Sequence, residues 1–279
     1  MSKIRKFIRQ HYLTVIAVIL LIIAIYGTVN YYLKEMGLMS YHKMTDVRGV
    51  FFEISLFQGA YLMFLPPLAI MLIVIDNWHN KFKNGNIKNY LTRQSYKHFR
   101  KKLFLLTAKT ALIYPLILLI FLGLSFILAK GGNDYAAVIE NSLNYGDYTW
   151  AYHHFFLYII RSALLLYIQG LMVSFFPLVF LNKVKNKVLI ILFSYITWIV
   201  SILLLYAFPS MLLDIYFNYK INNAYLNYYS FLMYYNLDID YYLYLFSLSC
   251  FTVFLFFINY FLIYGKKEKV VLQNEKEMV

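Results

Sequence analysis

Cysteine is almost absent from this chain. Cys250 is the only one among 279 residues, so no internal disulfide braces the fold and thiol usage says nothing about compartment. Charge is scarce as well: 14% of residues are charged and 62% hydrophobic, where a soluble globular domain is nearer a quarter charged and half apolar. No glycine–four residues–glycine–lysine–serine/threonine run occurs, and Gly265-Lys266-Lys267 lacks both the upstream glycine and the hydroxyl, so a phosphate-binding loop is excluded. The centres of the long apolar runs hold no Asp, Glu or His. That absence argues against the carboxylate relay of a proton-coupled carrier and the ligands or nucleophile of an intramembrane protease. The chain is therefore expected not to be an enzyme. Its halves are not self-similar, which counts further against a secondary carrier built from repeats.

What abounds is apolar sequence in blocks long enough to cross a bilayer, where roughly 20 residues suffice for a helix. The runs Leu13–Leu33, Phe57–Ile75, Thr110–Ala129, Phe155–Leu181, Val188–Phe208 and Leu243–Tyr264 are read as six spans. The expected fold is a single all-α transmembrane domain over residues 1–279. Pro66 and Pro67 weaken the second span, and Pro115 and Pro177 interrupt the third and fourth, but membrane helices tolerate such breaks. The first run exceeds the apolar core of a signal peptide and no small-residue cleavage site follows it, so it is expected to stay as an anchor.

Lysine and arginine orient the bundle. With the N-terminus inside, residues 1–12, 76–109, 182–187 and 265–279 carry twenty basic residues, and the outer segments carry five. The positive-inside rule then predicts a cell-membrane protein with both termini in the cytoplasm. The net charge of +13 is accounted for by anionic lipid headgroups and an inner-surface partner rather than nucleic acid. Ile4, Phe7 and Ile8 recur at helical spacing within the basic residues 1–12 and predict an amphipathic helix lying on the inner leaflet.

On the outer side, His153 and His154 are adjacent, a spacing at which two side chains rarely converge on one metal. Residues 209–242 hold nine tyrosines, and Met211–Tyr219 with Leu226–Tyr235 read as a re-entrant or interfacial helical pair. That pair is either a lid over an outward exit or an aromatic belt. Arg161 is the one basic residue inside a span. It either snorkels or pairs with Glu53 at the outer start of the second span, or it touches cargo; Gln169, eight residues on, shares roughly its helix face. Glu53, Arg161 and Gln169 are thus the candidate residues of a translocation path.

The connection 76–109 is long, basic and punctuated by Gly85. Ile87, Tyr90 and Leu91 recur at helical spacing after it, and a second helical segment over Tyr96–Leu106 leads into the third span. The run Gly85, Asn86, Ile87, Lys88, Asn89, Tyr90, Leu91, Thr92, Arg93, followed by Ser95, Tyr96 and Lys97, resembles the motif after the second span in permease subunits of type-2 ABC exporters. It departs from that motif at Tyr96, where the family often has arginine. The resemblance implies a pore of two permease subunits, identical or homologous, with two ABC ATPase subunits on the cytoplasmic face. Gly85, Asn86, Ile87, Lys88, Tyr90, Leu91, Arg93, Ser95 and Lys97 would form the element that docks on the ATPase. ATP and Mg would be bound by that partner and no cofactor by this chain. Relatives of that family carry peptides, lipids, drugs and glycolipids, so the resemblance does not fix the cargo; a peptide, antimicrobial peptides included, or a lipid-like molecule is the expectation. The competing expectation is a sensor or scaffold subunit that transports nothing.

Overall fold

The computed structural model describes residues 11–38, 47–56, 59–83, 96–129, 153–181, 184, 186–201, 245–246 and 248–262. Among them all regular structure is helical and none is strand. In chain order the helices are α1 (Tyr12–Leu38), α2 (Val47–Leu56), α3 (Gly59–Lys83), α4 (Tyr96–Ala111), α5 (Ile113–Leu128), α6 (Phe155–Leu181), α7 (Lys187–Ser201) and α8 (Leu248–Leu262). Three helical stretches are long and apolar enough to cross a membrane: Tyr12–Asn30 of α1, Lys101–Leu128 through α4 and α5, and Phe155–Leu181. Phe64–His79 of α3, α7 and α8 are shorter apolar helices. The expected surface helix over 1–12 falls almost wholly outside the described residues. So do the ends of the fifth and sixth expected spans and the tyrosine-rich segment 209–242.

The bundle is built around α6. Of its apolar window 67% is buried, against 22% for Tyr12–Asn30, which makes α6 central and α1 peripheral. α6 carries no polar stripe, and the residues it leaves exposed, Phe156, Leu157, Ile160 and Leu164, are apolar. It packs against α3, α4 and α5, while α1 lies along α3 and α2 lies on α5. The outer face of α1 presents Ile16, Ile19, Ile22, Ile23 and Tyr26, a surface suited to hydrocarbon.

Three boundaries differ from the sequence expectation. Residues 47–56, expected in an outer loop, form α2, because Val50, Phe51, Phe52 and Ile54 give this short segment enough apolar surface to bury. Phe51 meets Phe155 edge-on at 5.3 Å, and the Phe52 ring lies 5.4 Å from that of Tyr158. The third helix runs to Lys83 rather than ending near Ile75, since neither glycine nor proline stands between Pro67 and Gly85 to stop it. The expected third span opens with a break: α4 ends at Ala111 and α5 begins at Ile113. Pro115 has no N–H to give the Ala111 carbonyl, so the turn tightens. Leu112 N–H bonds back to Lys109 O at 3.3 Å, and the regular ladder resumes with Leu116 N–H to Leu112 O at 3.0 Å.

Gly170 of α6 crosses at that break. A Cβ placed on it would lie 2.6 Å from the Ala111 carbonyl oxygen and 3.1 Å from Cδ2 of the buried Tyr114. Only hydrogen fits there, so this position requires glycine for its close approach.

Hydroxyls within the apolar helices donate to carbonyls of their own preceding turns. Thr28 donates to Ala24 O at 2.9 Å, Ser125 to Phe121 O at 2.7 Å and Thr252 to Leu248 O at 2.7 Å. Asn259 of α8 reaches between helices: its Nδ2 donates to Phe175 O of α6 at 3.2 Å and to Leu255 O at 2.9 Å.

Candidate functional site

The densest polar chemistry among the described residues gathers at one end of the bundle. Asp76 sits in α3 with its carboxylate buried. Its Oδ2 accepts from the Thr14 hydroxyl at 2.7 Å and from the Thr14 backbone N–H at 3.3 Å. Thr14 lies in the first turn of α1, where backbone amides have no partner within the helix and a negative charge is favoured. Asp76 therefore caps α1 across 62 residues of sequence. Nδ1 of the partly exposed His11 stands 3.5 Å from the same Oδ2. Oδ1 is buried and receives no hydrogen bond among the described residues.

Two residues along, Trp78 packs edge-on against Phe99 of α4, with ring centroids 5.6 Å apart. Both rings are buried. They join the two helices on either side of residues 84–95, near the described end of α3 and the start of α4. Such a pair is worth about 0.5–1.5 kcal/mol beyond its buried area. Replacing Trp78 and Phe99 by leucine, singly and together, should therefore give a double-mutant coupling of about 1 kcal/mol in unfolding of the purified protein. Strictly additive losses would show that the staple carries no specific energy.

The start of α7 belongs to the same end. Asn186 caps it, its Oδ1 accepting the Val188 N–H at 2.9 Å, and Lys187 Nζ lies 5.1 Å above the Tyr12 ring of α1. The first turns of α1, α4 and α7 and the C-terminal half of α3 thus converge. In sequence these adjoin residues 1–12, 76–109 and 182–187, which hold most of the lysine and arginine.

Of the sequence-nominated docking residues, Gly85, Asn86, Ile87, Lys88, Tyr90, Leu91, Arg93 and Ser95 lie outside the described residues, and Lys97 is the second residue of α4. The nominated path residues are dispersed. Arg161 is partly exposed in the second turn of α6, and Gln169 is buried about 12 Å further along the axis by helical rise. Glu53 lies on α2, whose Phe52 touches Phe155 and Tyr158 near the beginning of α6. His153 and His154 are exposed, and among the described residues no three His, Cys, Asp or Glu side chains gather as metal ligands.

Sequence reasoning missed Asp76, which it placed as the first residue of a solvated connection. The signal that locates it is the missing stop before Gly85, which keeps Asp76 and His79 within a continuing helix, three residues apart and both buried. No family model, curated protein or solved structure matches the chain.

Proposed function

We propose that this chain is the permease subunit of a type-2 ABC exporter. In this reading the six apolar helices span the cell membrane with both termini in the cytoplasm, and two permeases, identical or homologous, enclose the path. Two ATPase subunits, carrying ATP and Mg, grip the segment after α3. The observation that carries the reading is the convergence of α1, α3, α4 and α7 on one end of the bundle. That end adjoins the basic segments, and it frames residues 84–95, which hold the exporter-like motif, between two helices joined by Trp78 and Phe99. Two helices joined in this way carry a push on the segment between them into the bundle. ATP-driven closure of the ATPases then needs to favour one permease state over the other by only a few kcal/mol.

The cargo enters in this scheme between the permeases, with the partly exposed Arg161 of α6 as a polar station toward the outer half. A peptide or lipid-like cargo suits a chain that is 62% hydrophobic and 20% aromatic.

Two measurements test the reading. A single cysteine at Asn86, in a Cys250→Ser background, should react with a membrane-impermeant maleimide only after the cells are opened. Gentle solubilisation of the full chain should recover a soluble ATPase bearing a phosphate-binding loop. Labelling of position 86 in intact cells, or recovery of the chain with no nucleotide-hydrolysing companion, overturns it.

A further inference from the structure

We propose that Asp76 is a positioning residue that locks α1 to α3, so that α1 follows any displacement of the segment after α3. The identity of what displaces that segment rests on the exporter reading; the lock itself does not.

Three observations point to it. First, Asp76 is a buried carboxylate at a helix contact where an apolar side chain would pack without desolvating a charge. Second, both hydrogen bonds it accepts come from one residue of one neighbour, the hydroxyl and the amide of Thr14, at 2.7 and 3.3 Å. Paired donors from a single residue fix register as well as distance, which dispersed apolar contacts do not. Third, Asp76 lies two residues from Trp78, whose ring packs on Phe99. The carboxylate and the aromatic staple therefore sit on the same two turns of α3. One links α3 to α1 and the other links it to α4, so three helices share a joint beside residues 84–95. Among the long helices α1 packs chiefly on α3, which makes α3 its main hold on the bundle.

The test uses the full chain in lipid nanodiscs. Hydrogen exchange of the amides at residues 12–15 should accelerate about tenfold in Asp76→Leu and in Thr14→Val, while Thr14→Ser, which keeps the hydroxyl, stays at the parent rate. Exchange within α6 should not change in any of them. Because Asp76→Leu fills the volume, a loss of fold is not expected, and Thr14→Val decides the matter should one occur. Parent-like exchange in Thr14→Val, or equal acceleration in Thr14→Ser, overturns the lock.

A second arm reads transmission. A fluorophore on Ile16→Cys in the Cys250→Ser background should respond to nucleotide in the assembled complex, and Asp76→Leu should abolish that response while ATP hydrolysis remains within about twofold of the parent. A persisting response overturns the positioning role, and hydrolysis falling in parallel moves Asp76 into the docking surface. Failure to recover any ATPase removes the exporter reading and leaves the exchange experiment to decide the lock.

Discussion

Gly170→Leu should yield no folded protein, and Gly170→Ala should lose about 2–3 kcal/mol of stability. The neighbour that a side chain would strike is backbone. A Cβ at this position meets the Ala111 carbonyl oxygen at 2.6 Å and its Cα at 3.0 Å, far inside contact distance. A flexible side chain would rotate away, but a main-chain carbonyl moves only with its helix. Here that helix turn is already set by Pro115 and held by the buried Tyr114. Relief therefore requires α6 to separate from the α4–α5 break, which exposes packing over several turns. Gly123 of α5 provides the matched control, since a Cβ there meets nothing within 4 Å. Gly123→Ala should be neutral or gain up to about 1 kcal/mol through helix propensity. Reversible unfolding in mixed detergent measures both. Equal stability of the two alanine variants would contradict the close crossing.

Ile87→Asp together with Leu91→Asp should cut permease-stimulated ATP hydrolysis at least tenfold in the reconstituted complex, while the protein still inserts and still unfolds at the parent midpoint. The two residues are four apart, so on a helix they share one face, and a charge in a hydrophobic cleft is desolvated without a partner. A loss of about 1.4 kcal/mol in docking already accounts for tenfold, and two buried carboxylates exceed it. Lys88→Ala, on a different face, should have a smaller, salt-dependent effect. Parent-like hydrolysis by the doubly charged variant would remove this segment from the docking surface.

How far the sequence revealed the molecule follows from what hydropathy measures. Phe155–Leu181 is legible to the residue, because polar His153 and His154 precede its apolar run and Asn182 and Lys183 follow. The end of α3 is not. Hydropathy falls at Asp76, and nothing local reveals that this carboxylate finds its donors on Thr14, 62 residues earlier. Gly170 is hidden for a related reason. Its need for glycine comes from a carbonyl on another helix, and a single sequence read in order carries no sign of that neighbour. Pro115 announces a break but not what crosses it. That Arg161 and Gln169 share a helix face is read from spacing alone, and the bundle gives one a partly exposed place and the other a buried one. The exporter-like motif is read from residue types in a segment that lies outside the described residues, so its weight rests on the helices that frame it.

The amide of Asn259 has a consequence for biosynthesis. It serves the Phe175 carbonyl, two residues before Pro177, from 84 residues downstream. The ribosome therefore delivers α6 long before the donor it will use. Until the eighth helix emerges, that stretch of α6 sits in lipid with one interhelical bond unmade. Assembly of this chain is thus completed by its latest-synthesised described helix, and a ribosome stalled before residue 259 would leave a bundle inserted but unlatched.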